Sequence, residues 1–303
     1  MVASINDGQP FLARDCRAVG LTKAQLYEAR IEGVVRRILD RVFVDACAAD
    51  TRELRIKAMK AIAPSHAVVA DDWASWIYGV DTFAPAKRHS LKPSLVVPHG
   101  QSRTRLDDVD CRQALIKERD IVEIGGVRIT TPVRTTSDFL RTKWRPHALA
   151  AADAMAQAGL VSMEEVWEFV AKLKGYPGIR QARNLALLIE RLAASPGESW
   201  TRLRIIDAGF AIPASQHEVV DRDGNTRFLD LAYPKLRIGI EFDGAEFHTA
   251  GFDQDHDRYR RDLITAMGFR ILIARYADVF GSDMSFERQL GELVGMKPLD
   301  RRW

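Results

Sequence analysis

The chain's sharpest two-residue alternation runs from Phe228 to His248, FLDLAYPKLRIGIEFDGAEFH. Apolar and β-branched residues flank Tyr233-Pro234-Lys235, and proline is excluded from the middle of a sheet, so two strands joined by a turn are predicted. Successive side chains in a strand point to opposite faces. Ile238, Ile240 and Phe242 therefore share one face, and Arg237, Gly239, Glu241 and Asp243 the other. Asp230 lies on the first strand between Leu229 and Leu231. A tight turn centred near Pro234 would pair Asp230 with Ile238 and leave Glu241 roughly 10 Å further along, at ~3.3 Å per residue. Bringing these acids together requires a staggered or splayed register.

Helical spacing marks much of the remainder. Ser195 is placed to cap a helix carrying Glu198, Arg202 and Ile205 on neighbouring turns. Near the N-terminus, Phe11 to Ala18 suits a short helix. Thr22-Lys23-Ala24-Gln25 reads as a capping box opening a second helix that stops at Gly33. Val34 to Val44 then reads as a two-stranded wing with basic residues at its tip. Helix, turn, helix and wing is the outline of a winged helix-turn-helix, with the second helix in the major groove and arginines on phosphates. The bland alternative is a small helical pair with a solvated basic loop. Leu54 to Ala63 and His66 to Tyr78 suggest helices. Ser94–Pro98, Ile121–Ile124 and Val127–Thr130 suggest strands, the last two joined at Gly125-Gly126. Arg134 and Asp138, four apart on a helix, are expected to form a structural ion pair. His147 to Leu192 is helical in pattern and Phe252 to Met267 reads as another helix. Phe269–Ala274 is a buried strand and Phe286–Val294 a closing helix.

The expected organisation is a winged helix-turn-helix at 1–50, a mixed α/β middle domain at 51–193, and an α/β domain at 194–303, whose central mixed sheet is flanked by helices. Composition fits a globular α/β (α+β) protein of 303 residues, 47% hydrophobic and 28% charged. No stretch approaches the ~20 apolar residues of a membrane span. The N-terminal residues lack a basic segment followed by an apolar run, so a cytoplasmic location is expected. Cys16, Cys47 and Cys111 are widely spaced, which speaks against disulfides and zinc. The net charge of +3 permits nucleic-acid binding without requiring it.

Like carboxylates brought together repel unless a cation or a shared proton intervenes. An acid on one strand, acid-x-acid-Gly and His on the next, and a preceding helix bearing Glu resemble the restriction-endonuclease-like nucleases. More narrowly they are similar to the very-short-patch-repair-like branch known as domain of unknown function 559. The similarity runs from about Pro196 to Phe280 and includes Glu198, Asp230, Glu241, Asp243-Gly244, His248 and Arg261-Asp262. It implies a Mg²⁺ (or Mn²⁺) held by Asp230, Glu241 and Asp243, completed or oriented by Glu198, with His248 acting as base or polarising the attacking water. The superfamily lysine of acid-x-Lys is replaced by Asp243, which moves its work to His248 or a nearby Arg. Arg258, Arg260 and Arg261 would bring phosphates toward the acids.

GLTKAQLYEARIEGVVRRILDRVFV resembles the N-terminal domain of the abortive-infection type IV antitoxins, and residues 52–190 resemble the body of the same proteins. This resemblance implies DNA contacts from Lys23, Gln25, Arg30, Arg36 and Arg37, and a toxin or defence-system protein as partner. Two readings follow. The chain is a winged DNA-binding protein carrying a metal-dependent endonuclease, or a non-cutting antitoxin-like regulator whose nuclease-like part is a scaffold.

Overall fold

The computed structural model describes residues 5–83, 92–100, 109–221, 224–244, 265–301 and 303. The fold is mixed α/β, in two compact units, Met1–Asp138 and Phe139–Trp303. The boundary expected near 193/194 lies inside the second unit.

The first unit opens with a three-stranded sheet in the order β1-β3-β2, from β1 (Phe11–Leu12), β2 (Val35–Leu39) and β3 (Val42–Asp45). Phe11 does not begin a helix. It pairs with Phe43 and is buried against that ring, so the helical turn starts only at Ala13. Long-range pairing has overridden a local preference. Helix α1 (Lys23–Ile31) starts as expected, with Thr22 and Gln25 capping each other reciprocally. It gives way at Gly33, whose φ of +72° glycine adopts without a Cβ clash. Between β2 and β3 the tip is Asp40-Arg41, and Arg36 and Arg37 sit within β2 rather than at the tip.

A five-stranded mixed sheet follows, in the order β6-β5-β4-β8-β7, from β4 (Val68–Val69), β5 (Ser94–Pro98), β6 (Asp110–Ala114), β7 (Ile121–Ile124) and β8 (Val127–Thr130). Helices α2 (Arg52–Lys60) and α3 (Asp71–Ile77) accompany it. The helix expected from His66 begins five residues late, because Val68 and Val69 form a buried strand between β5 and β8. Leu39, Met59, Trp73, Ile77, Leu95 and Ile129 belong to one core, so both sheets of this unit close on the same apolar interior. Helix α4 (Pro132–Thr142) crosses the division between units. Arg134, buried on α4, donates to Asp138 at 2.8 Å, Asp120 at 3.1 Å and the Leu115 carbonyl at 3.1 Å. The expected ion pair is present and extends to a third partner.

The second unit holds helices α5 (Arg145–Gln157), α6 (Met163–Lys172), α7 (Ile179–Ala186) and α8 (Pro196–Asp207), and the sheet β12-β11-β10-β9. Its strands are β9 (Ala214–Val220), β10 (Thr226–Tyr233), β11 (Ile238–Asp243) and β12 (Arg270–Arg275). The first three are mutually antiparallel and β12 is parallel to β11. Helices α9 (Tyr276–Phe280) and α10 (Ser285–Val294) follow. The alanines of α5 are buried, as close packing requires, and Asp153 among them meets Arg202 of α8 at 2.8 Å. Gly197 lets α8 approach the sheet closely, since a Cβ there would fall 2.0 Å from Phe242 Cδ1.

The turn between β10 and β11 differs from the tight hairpin expected. Pro234–Leu236 forms a 3₁₀ turn and Arg237 adopts φ +51°, so Tyr233 pairs with Ile238, Ala232 with Gly239 and Leu231 with Ile240. The ladder ends at Leu231 and Ile240, and Leu229 packs on the Ala232 and Gly239 face rather than on the face of Leu231, so the strand is irregular at Asp230. Asp230 does not pair with Ile238, whose partner is Tyr233.

Candidate functional site

The site is built from α8 and the centre of the second unit's sheet. Ser195 caps α8, its Oγ accepting from the Glu198 N–H at 3.2 Å, and this fixes Glu198 in the first turn. Glu198 is 6% exposed. Its Oε2 accepts from the Ala194 N–H at 3.0 Å and from Gln216 Nε2 on β9 at 2.8 Å. Four other buried carboxylates of this unit face an arginine within 4.0 Å: Asp153 meets Arg202, Asp207 meets Arg145, Asp221 meets Arg227 and Glu287 meets Arg301. Glu198 has no such cation among the described residues. A buried carboxylate held by neutral donors alone carries charge that the fold has not compensated, a common property of functional sites.

Asp230 is half-buried on β10, and its Oδ2 accepts from the Phe242 N–H at 3.0 Å. The carboxylate thereby takes a main-chain donor of β11 just beyond the last ladder pair, Leu231 and Ile240. Glu241 is buried, and Ile238, Ile240 and Phe242 pack in the core on the alternate face, as the sequence pattern requires. Asp243 lies opposite Arg275 of β12, whose Nε stands 3.6 Å from Asp243 Oδ2. Arg275, mostly exposed, is a cation beside Asp243. Sequence reading missed it, because only the parallel pairing of β11 with β12 makes the two neighbours.

Carboxylates such as those of Glu198, Asp230 and Glu241 are hard oxygen donors, and their chemistry suits Mg²⁺ or Mn²⁺. Among the described residues, no group of three or more His, Cys, Asp or Glu side chains stands close enough to hold a metal ion. His248, Arg258, Arg260 and Arg261 lie outside the described residues.

The residues expected to meet DNA are distributed unevenly. Lys23 and Arg30 are exposed on α1. The Gln25 side chain is engaged in the cap, its Oε1 accepting from both the N–H and the hydroxyl of Thr22. Arg36 is half-buried and donates to the Ala48 carbonyl at 3.0 Å, while Arg37 is exposed with Asp40 3.5 Å away. Lys23, Arg30 and Arg37 are thus displayed, whereas Gln25 and Arg36 have structural duties that sequence spacing does not reveal.

Beyond the site, among the described residues no helix is long and apolar enough to cross a membrane. The chain is 28% identical over 243 residues, 77% of its length, to uncharacterized proteins Rv2248 and MT2308 of two Mycobacterium tuberculosis strains, in each case across 84% of the relative. It also aligns with the crystal structure of the RV2827C protein from the same species, at 10% identity and a TM-score of 0.34, over 70% of this chain and 83% of that one. Residues 67–188, which take in the five-stranded sheet and the helices from α3 to α7, match the family described as the AbiEi antitoxin C-terminal domain.

Proposed function

We propose that the protein is a DNA-binding regulator of the antitoxin kind, acting in the cytoplasm with a toxin or phage-defence partner. The match of residues 67–188 to an antitoxin domain carries this reading. The N-terminal segment supports it, because α1, with its Thr22 cap, is followed by the β2–β3 hairpin in the outline of a winged helix-turn-helix. Lys23, Arg30 and Arg37 are the cations displayed to a phosphate backbone. The test is a gel shift of the full chain on duplex DNA from upstream of its own coding sequence, with an unrelated duplex alongside. Preferential retardation of the first duplex, lost in a Lys23→Ala/Arg30→Ala/Arg37→Ala variant, supports the reading. No retardation of either duplex at micromolar protein and low salt sinks it.

A second reading, metal-dependent DNA hydrolysis by residues 194–303, is favoured by one observation. Glu198 is buried with no arginine within 4.0 Å among the described residues, its carboxylate held by the Ala194 N–H and Gln216. A bound Mg²⁺ or Mn²⁺ would activate water and shield phosphate charge. Asp230 and Glu241 would hold it, with Glu198 alongside, and Arg275 is placed to offset phosphate charge near Asp243. Incubating the chain with supercoiled and single-stranded DNA plus Mg²⁺, Mn²⁺ or EDTA tests this. Cleavage unaffected by Asp230→Ala and Glu241→Ala would remove these acids from the reaction.

A further inference from the structure

Tyr27 and Ile31 are 63% and 69% exposed, the two most exposed large apolar side chains among the described residues, and both lie on α1. Single exposed apolar residues are ordinary on a protein surface, but these two stand four apart and so adjoin on one helix face. Lys23 and Arg30, both exposed, border Tyr27 on that face, one four positions before it and the other three after. The opposite face is taken, since Leu26 is buried against Phe11, Cys16, Val35 and Phe43, with Ala29 packed alongside. Exposed Glu28 and Glu32 lie on the far flank of the apolar pair from Lys23 and Arg30. Helix α1 thus carries an apolar strip with cations along one side and carboxylates along the other.

Such a strip fits an anionic partner that has apolar points of its own. The major groove of duplex DNA is one: phosphates line its rim, and the C5-methyl of thymine is the apolar feature of its floor. We propose that Tyr27 and Ile31 read thymine methyls in that groove and so set which sequence is chosen, while Lys23, Arg30 and Arg37 meet the phosphates. This proposal rests on the reading of the chain as a DNA-binding regulator and adds to it the source of sequence preference. One helical turn, ~5.4 Å, separates the two side chains and base pairs stack ~3.4 Å apart, so methyls one or two steps apart are within reach. Glu28 and Glu32 repel phosphate, which rolls α1 in the groove with its cation side toward the nearer backbone.

The test uses the duplex from upstream of the chain's own coding sequence, amplified once with dTTP and once with dUTP, whose base pairs identically but lacks the methyl. Gel shifts of the full chain on both duplexes measure the discrimination. The expected result is wild-type affinity weaker on the dU duplex by about tenfold or more, as two lost methyl contacts of about fourfold each would give. Tyr27→Ala/Ile31→Ala should bind the two duplexes equally and keep the wild-type salt slope, because its cations remain. Ile31→Ala alone should lose part of the discrimination. Both positions are exposed and alanine favours helix, so the variants keep their fold. A wild type that binds both duplexes equally, or a double variant that discriminates as the wild type does, would overturn the proposal while leaving the regulator reading standing. Failure of the wild type to retard either duplex would remove both together. Self-association of the wild type, abolished in a double variant that still prefers the dT duplex, would give this face to a second copy of the chain and overturn the proposal.

Discussion

Asp153 of α5 and Arg202 of α8 form an ion pair at 2.8 Å with 1% and 3% of their side chains exposed, joining the alanine-rich helix to the helix that carries Glu198. Burial pushes the Asp153 carboxyl up to about 6, outweighing the nearby Arg202 charge and the hydrogen bonds it accepts from the Glu190 N–H, Ser199 and Arg202. The folded state therefore binds a proton at Asp153 more readily than the unfolded chain, whose carboxyl titrates near ~4. The stability from this shift is complete below about pH 4 and is lost as the pH rises through 6. Chemical denaturation across pH 4 to 7 checks this: relative to Asp153→Asn, the wild type should weaken steadily up to pH 6 and then level off. A flat difference across that range would show that Asp153 titrates normally.

Gly197→Ala should destabilise the second unit by on the order of 3 kcal/mol, because the added methyl meets the Phe242 ring on the buried side of α8. Urea denaturation of the variant measures it. Equal stability would mean that α8 can slide away from the sheet.

In the first unit, Arg134→Ala takes a buried cation away from Asp120 and Asp138, leaving Arg119 3.9 Å from Asp120, and should cost ~3–5 kcal/mol. Arg134→Lys should recover only part of this, since one ammonium cannot reproduce the separate Nε and Nη1 bonds. Thermal melts of the two variants rank them.

If DNA is bound through α1 and β2, removing Lys23, Arg30 or Arg37 should each lower the slope of log affinity against log salt by about 0.9. Gln25→Ala should instead weaken the α1 cap by ~1 kcal/mol and leave that slope unchanged. Fluorescence anisotropy at several salt concentrations separates the two effects.

What the sequence disclosed about this fold depended on the range of the forces involved. Caps, glycine stops and the Gly125-Gly126 hairpin are settled within a few residues, and Thr22, Ser195 and Arg134–Asp138 stand where local rules put them. Phe11–Leu12 and Val68–Val69 became strands because partners more than twenty residues away claimed them. β6 and β9 were missed for a related reason. Their sequences, DCRQA and ASQHEVV, lack a clear apolar alternation, and it is pairing with β5 and β10 that makes them strands. In the candidate site, alternation along β11 identified the face bearing Glu241 and Asp243. It could not supply the reach from Gln216 to Glu198 or from Arg275 to Asp243, which cross between elements.

The four residues Pro234 to Arg237 work as a length gauge. Adding or deleting one of them would take Leu231 off Ile240, its partner in the core, and set it against Gly239 or Glu241, both turned to the opposite face of β11. Comparing the spacing from Leu231 to Ile240 across related chains would therefore say whether that pairing has been kept under selection, even where the turn residues themselves have drifted. Substitutions in the turn leave the count intact, whereas one inserted codon would erase the alignment without altering either residue.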